Sequence, residues 1–123
     1  MRAVAVVALV ACAAFALGCG SPGGVANCPA VSQVCPSPAP TFSGQAQAII
    51  RSTCLPACHE PGGIEANRPM QTYAQISALS RDILSQIDQC RMPILADGTP
   101  TSFASPEDKD TLIAWLVCGA MDN

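Results

Sequence analysis

Histidine and lysine are scarce in this chain, and each shortage excludes a class of function. His59 is the single histidine, so neither a histidine-rich metal centre nor a haem iron held between two histidines of one chain can form. Lys109 is the single lysine, and the net charge is −3 at pH 7 with a pI near 4.7. Because binding to a phosphate backbone requires concentrated positive charge, we expect no binding to nucleic acid.

Cysteine, by contrast, is abundant, with eight among 123 residues, which indicates an oxidising compartment. The amino-terminal segment agrees with export. Met1-Arg2 gives a positive start, and an uninterrupted apolar run follows from Ala3 to Leu17. This run is shorter than the about 20 residues that a membrane-spanning helix needs. The pattern therefore predicts a signal peptide over residues 1–18.

The end of the apolar run, Ala16-Leu17-Gly18-Cys19, resembles a bacterial lipobox, in which the cysteine is lipidated and becomes the new amino terminus. We therefore expect a lipid anchor at Cys19, on the periplasmic face of a bacterial membrane. The outer membrane is favoured because Gly20 supplies no retention charge. Leu9-Val10-Ala11-Cys12 fits the lipobox pattern better but leaves too short an apolar run. Ordinary cleavage near Gly18, giving a soluble periplasmic protein, is the alternative.

Two further regions follow the signal peptide. Residues 19–41 are rich in glycine and proline and carry no charge, which predicts a semi-rigid tether. Residues 42–123 form the domain, whose short length permits only a modest core. Apolar periodicity predicts helices over 44–53 and over 72–89, the second with a break near Ser80. A third helix is predicted to begin at Ser105-Pro106 and to end at Gly119. No segment alternates with period two, so we expect an all-α fold of three to four helices.

The segment Cys54-Leu55-Pro56-Ala57-Cys58-His59 places two thiols and an imidazole within six residues. Covalent haem attachment requires this set, because two sulfurs form thioethers with the haem vinyl groups and the following histidine binds the iron. Three residues separate the cysteines, whereas two is usual. Since the vinyl positions are fixed, we expect the additional residue to bulge outwards at Pro56.

Two other interpretations of this segment stay open. Cys54 and Cys58 could form a disulfide beside an ordinary surface histidine, in a structural or interaction lipoprotein. Cys54, Cys58, His59 and Cys90 could also bind zinc, although free thiolates are awkward in an oxidising compartment. No serine–histidine–aspartate or paired-carboxylate arrangement stands out, so we expect no enzyme.

A methionine provides the second signal. Met92-Pro93 lies downstream, where the long helical segment ends, and the proline favours an extended presentation of the methionine sulfur. Met92 is therefore the expected sixth ligand of a haem iron. Met70 and Met121 are rivals, but Met70 is close in sequence to His59 and Met121 is near the carboxyl end.

In the order of these elements, Ala46 to Gly119 resembles a small class I cytochrome c of the kind found as bacterial lipoproteins. It departs from that family in the CxxxCH spacing and at Ile50, where the family commonly has an aromatic residue. The resemblance implies one haem c attached at Cys54 and Cys58, with His59 and Met92 as axial ligands. It also implies that Trp115 packs across the first helix. The expected role is one-electron transfer to a redox partner protein, with no small-molecule substrate.

The pairing of the remaining cysteines can then be predicted. Four lie outside the haem motif and the export segment, and they allow three pairings. We expect the local pair Cys28–Cys35 and the structural pair Cys90–Cys118, the second of which would clamp the loop that carries Met92.

Overall fold

The computed structural model describes residues 29–95 and 101–123, and within them the chain is all-α, as predicted. The predicted signal peptide, the lipidation site Cys19 and Cys28 lie outside these residues. The helices are α1 (Gln47–Thr53, preceded by a π-helical turn over Phe42–Ala46), α2 (Tyr73–Ala78), α3 (Ser80–Asp88) and α4 (Pro106–Val117). The described residues contain no β-strand, and none of their helices has the length and apolar character needed to cross a bilayer.

The helix limits follow from local sequence. Thr72 and Gln75 form a capping box at the start of α2, and the predicted break is confirmed at Leu79, whose backbone leaves the helical region. The predicted start of α4 is also confirmed, because the Ser105 hydroxyl accepts the Asp108 N–H at 3.0 Å. Gly119 ends α4 in the left-handed region with φ +92°.

The core is centred on Trp115 of α4, which is fully buried. Its ring lies 5.5 Å from that of Phe42, which in turn makes an edge-to-face contact with Tyr73 at 5.2 Å. Phe42 thus supplies the aromatic contact that position 50 lacks, since Ile50 is buried in the same cluster. Three of the five aromatic residues of the chain are therefore concentrated where the first and last helices meet.

Polar contacts tie the two ends of the described domain together. Asn123 accepts the Phe42 N–H through its side chain and the Ser43 N–H through its carbonyl, at 3.0 and 3.1 Å. The Trp115 indole N–H donates to the Met121 carbonyl, and the Tyr73 hydroxyl donates to the Ala120 carbonyl. Because each aromatic polar group is satisfied, burial of these rings carries no hydrogen-bonding penalty.

The predicted disulfide pairs are wrong. Cys35 is bonded to Cys118, with Cα atoms 4.9 Å apart and a sequence separation of 83, which excludes both Cys28–Cys35 and Cys90–Cys118. Cys90 is disulfide-bonded too, but not to Cys118. The physical reason is the course of residues 29–41, here called the strap. Predicted as the end of a tether, the strap instead lies against the domain, with Val31 packed on the core and Cys35 at the end of α4.

The aromatic cluster yields a stability prediction. Trp115→Ala in the mature protein with intact disulfides should lower the free energy of unfolding by about 3–5 kcal/mol, because it leaves a cavity at a fully buried site. Urea denaturation followed by circular dichroism measures this change. Val34→Ala on the strap is the matched control, since Val34 is 74% exposed and its truncation should cost less than about 0.5 kcal/mol. Equal effects of the two changes would contradict the assigned core.

Candidate haem-binding cleft

A cleft opens beside the aromatic core, with a volume of about 210 Å³, far larger than the packing voids of an ordinary interior. Four parts of the chain line it: the end of α1 with the loop that follows, one face of α3 with the residue before it, the segment around Met92, and Phe103. Its lining residues are Thr53, Cys54, Cys58, His59, Glu65, Arg68, Met70, Leu79, Asp82, Ile83, Gln86, Ile87, Met92, Pro93, Ile94 and Phe103. All four residues predicted to attach haem or bind its iron are among them.

The turn between the two thiols accommodates one additional residue. The His59 N–H donates to the Cys54 carbonyl at 3.3 Å, so this turn spans five residues instead of the four of an α-helix. Pro56 (φ −56°, ψ 124°) and Ala57 (φ 61°, ψ −16°) are non-helical and exposed. The predicted outward bulge is therefore present, and Cys58 and His59 still face the interior, both buried.

The loop after the turn folds back closely on it. Backbone N–H groups of Ile64 and Glu65 donate to the carbonyls of Ala57 and Cys58 at 3.1 and 3.0 Å. This approach requires glycine at position 63, because a Cβ there would lie 2.3 Å from the Cys58 carbonyl oxygen. Two backbone hydrogen bonds and this close approach thus join the turn and the loop around the second thiol.

His59 is fixed by a single hydrogen bond. Its Nδ1 lies 2.8 Å from the Arg68 carbonyl oxygen, and since a carbonyl only accepts, Nδ1 carries the proton. The neutral ring then has its lone pair on Nε2, which has no hydrogen-bond partner within the described part of the chain. Histidines that bind metals are typically oriented by such a bond from the second nitrogen. The Arg68 carbonyl thus fixes the tautomer of the neutral imidazole, with the lone pair on Nε2.

Cysteine pairing differs between the cleft and the rest of the fold. Of the five cysteines within the described residues, Cys35, Cys90 and Cys118 are disulfide-bonded, whereas Cys54 and Cys58 are free. Burial raises the pKa of the Cys54 thiol from 9.0 to about 12, with a smaller contribution from Cys58 nearby. Cys54 is therefore a protonated thiol at neutral pH, and the pair is not joined in the structure.

The three candidate methionines occupy different environments. Met92 lines the cleft and packs, partly buried, against Cys58 and Ile94. Met70 also lines the cleft, but it is 7% exposed and belongs to the main core. Met121 is half-exposed and lies outside the cleft. Met92 is thus the methionine that lines the cleft without belonging to the main core.

Charged side chains gather at one part of the cleft. Arg68 pairs with Asp82 of α3 at 3.8 Å, with both side chains more than half exposed, so the pair contributes little stability. Glu65 is also among the lining residues. Neither Arg51 nor Arg91 lines the cleft, so Arg68 is the arginine available to an anionic group bound there.

The zinc interpretation does not fit this geometry. Within residues 29–95 and 101–123, no three cysteine, histidine or acidic side chains come close enough to hold a metal ion together. Cys90, the fourth ligand of that interpretation, is consumed in a disulfide. The two thiols and the imidazole thus share a cleft without converging on one point.

Two contributors to the cleft were not predicted from sequence: the Arg68 carbonyl and Phe103. The Glu60 carboxylate, which holds the turn beside the cleft, was not predicted either. Proline at position 69 is a signal for the Arg68 carbonyl, because the residue before proline avoids helical geometry and its carbonyl is free for another partner. Comparisons of the chain with protein-family models, with curated proteins and with solved structures find no match.

The raised pKa of Cys54 yields a chemical prediction. Thiolates react with iodoacetamide and thiols do not. Raising the pKa of Cys54 from 9.0 to about 12 therefore reduces its thiolate fraction on the order of 10³-fold at pH 8. The greater nucleophilicity of a more basic thiolate offsets part of this, which leaves a net slowing of about 30- to 60-fold.

Peptide mass spectrometry of the haem-free folded protein, compared with the same chain in urea, measures the Cys54 rate. Cys54→Ser identifies the signal that belongs to this residue. Equal alkylation rates in the folded and unfolded chains would contradict the burial of this thiol.

Proposed function

We propose that the chain is a membrane-anchored one-electron carrier that holds one covalently attached haem c, with Cys54 and Cys58 as attachment sites and His59 and Met92 as axial ligands. The observation that carries this proposal is that all four side chains line one cleft. They come from two segments separated by more than thirty residues, so their presence together is a property of the fold and not of the motif alone.

The donor set suits a haem better than it suits a bare metal ion. Haem needs its sulfurs at the rim of the ring and its histidine at the iron, so the three groups share a site without meeting. The two thiols and the imidazole of this chain line one cleft and form no three-ligand cluster within the described residues, which agrees with that requirement. His59 Nε2, which has no hydrogen-bond partner within residues 29–95 and 101–123, would supply the nitrogen ligand, and Met92 would supply a soft sulfur.

Attachment requires reduced thiols, which agrees with the free state of Cys54 and Cys58. Each thiol would add across one vinyl group: a carbon–sulfur bond forms at the inner vinyl carbon, and the thiol hydrogen goes to the terminal carbon. The addition consumes no oxidant or reductant. A prior disulfide between Cys54 and Cys58 would block the addition. Cys35 and Cys118 bond to each other, and Cys90 is in a disulfide as well, so none of these three cysteines occupies Cys54 or Cys58.

Bound haem would supply a one-electron couple. His59 and Met92 would occupy both axial positions and leave none for a substrate, which favours electron transfer over oxygen chemistry. The buried side chains of Ile83, Ile87 and Ile94 give the cleft an apolar wall that disfavours additional charge at its centre. Methionine ligation and this wall both favour the ferrous state.

The proposed location follows from the sequence. The signal peptide would direct export, and the lipidated Cys19 left by its removal would anchor the chain at the periplasmic face of a bacterial membrane, with the outer membrane favoured. The lipid anchor would keep the domain near the redox partner protein that exchanges electrons with it.

The first test is covalent attachment. The full chain, exported in cells that contain haem-maturation machinery, should retain haem after denaturation and solvent extraction. Cys54→Ser and Cys58→Ser should each retain haem through one bond, and the double variant should lose it on extraction. Pyridine haemochrome spectra of the extracted proteins measure this. A haem-free parent chain would contradict the proposal and favour a disulfide-stapled structural lipoprotein.

The second test concerns the sixth ligand. Met92→Leu should abolish the sulfur-to-iron charge-transfer band of the oxidised protein, because leucine fills similar volume without a sulfur. Met70→Leu is the matched control and should retain the band, since Met70 belongs to the core. Visible absorption spectroscopy distinguishes the two. A band that survives in Met92→Leu and disappears in Met70→Leu would reassign the ligand.

A further inference from the structure

The widened turn between the thiols is held from outside by a carboxylate. The Ala57 N–H donates to Glu60 Oε1 at 2.9 Å, and the Ala57 carbonyl accepts the Ile64 N–H at 3.1 Å. Both polar groups of the additional residue therefore have partners, although Ala57 is exposed and takes no part in a helix. The partner of its N–H is an ionisable side chain, which gives a charge-assisted hydrogen bond.

Ala57 needs such a partner because its backbone is unusual. With φ 61° it lies in the left-handed region, which alanine disfavours and glycine accepts readily. Without a restraint, Leu55, Pro56 and Ala57 would sample other conformations, and the distance between the sulfurs of Cys54 and Cys58 would vary. A two-residue spacer has less freedom to lose, so the need for a restraint arises from the third residue.

We propose that Glu60 is a positioning residue for haem attachment: it fixes the three-residue spacer so that both thiols, and not one alone, bond to the same haem. This inference rests on the proposed function and adds to it the doubly attached state. Glu60 lies outside the cleft lining and touches no group that would react. It acts through the Ala57 peptide. The variant Glu60→Gln keeps an acceptor oxygen at this position and should therefore preserve the function of Glu60.

The experiment counts thioethers in the full chain exported with haem-maturation machinery. After denaturation, iodoacetamide labels a cysteine that has remained free, and peptide mass spectrometry gives the ratio of singly to doubly attached haem. Glu60→Ala should raise this ratio about two- to tenfold, the effect of losing one hydrogen bond. Glu60→Gln should stay near the parent value. Glu107→Ala, at an exposed carboxylate on α4, is the matched control and should also match the parent.

A second background separates positioning from general stability. Deletion of Ala57 gives the two-residue spacer Leu55-Pro56, which has no peptide for Glu60 to hold. Glu60→Ala should have no effect on the ratio in that background. An unchanged ratio in the parent background, or an equal increase in both, would overturn the inference.

A readout without haem tests the bond itself. In the haem-free chain, Glu60→Ala should move the Ala57 amide resonance in NMR spectra and speed the exchange of its proton with solvent, whereas Glu60→Gln should leave both near the parent values. An Ala57 amide that Glu60→Ala leaves unchanged would overturn the inference even if haem is bound. A parent chain that binds no covalent haem would overturn the proposed function, and this role of Glu60 with it.

Discussion

The arrangement of the cleft depends on one hydrogen bond, from His59 Nδ1 to the Arg68 carbonyl. It fixes the protonated nitrogen of the ring and leaves Nε2 without a hydrogen-bond partner among the described residues, on a side chain that lines the cleft. The bond requires the loop between these residues to return on itself, and that return requires glycine at position 63 beside the Cys58 carbonyl. The loop contacts that orient the imidazole therefore also set the position of the second thiol.

A small domain can keep such a cleft open because its stability is concentrated elsewhere. Trp115, Phe42 and Tyr73 form the aromatic cluster at the crossing of the first and last helices, and the Cys35–Cys118 bond fastens the strap to the end of α4. In the cleft, by contrast, Cys54 and Cys58 are free thiols. This division separates the sulfur that stabilises the fold from the sulfur that is available for chemistry.

Local sequence patterns predicted much of this structure, but they did not predict the disulfide pairing between residues far apart in the chain. The serine–proline start of α4, the break at Leu79 and the bulge at Pro56 each follow from residues within one or two turns, so sequence alone predicted them. The Cys35–Cys118 bond joins residues 83 apart, and its pairing depends on the course of the strap, which no local pattern contains. The hydrogen bond from His59 to the Arg68 carbonyl was not predicted for a related reason, since a backbone acceptor has no side-chain signature in the sequence. Cleft membership was predicted for Met92 because proline marks the end of the preceding helical segment.

The central claim is that Cys54 and Cys58 carry haem, and peptide mapping tests it most directly. Because trypsin does not cleave between Arg68 and Pro69, digestion of the exported, matured protein should give one peptide that runs from Ser52 to Arg81 and contains both cysteines and His59. This peptide should absorb at the haem Soret band and have the mass of the peptide plus one haem, with neither thiol open to alkylation. A colourless peptide of unmodified mass, with two alkylatable thiols or one disulfide between them, would contradict it.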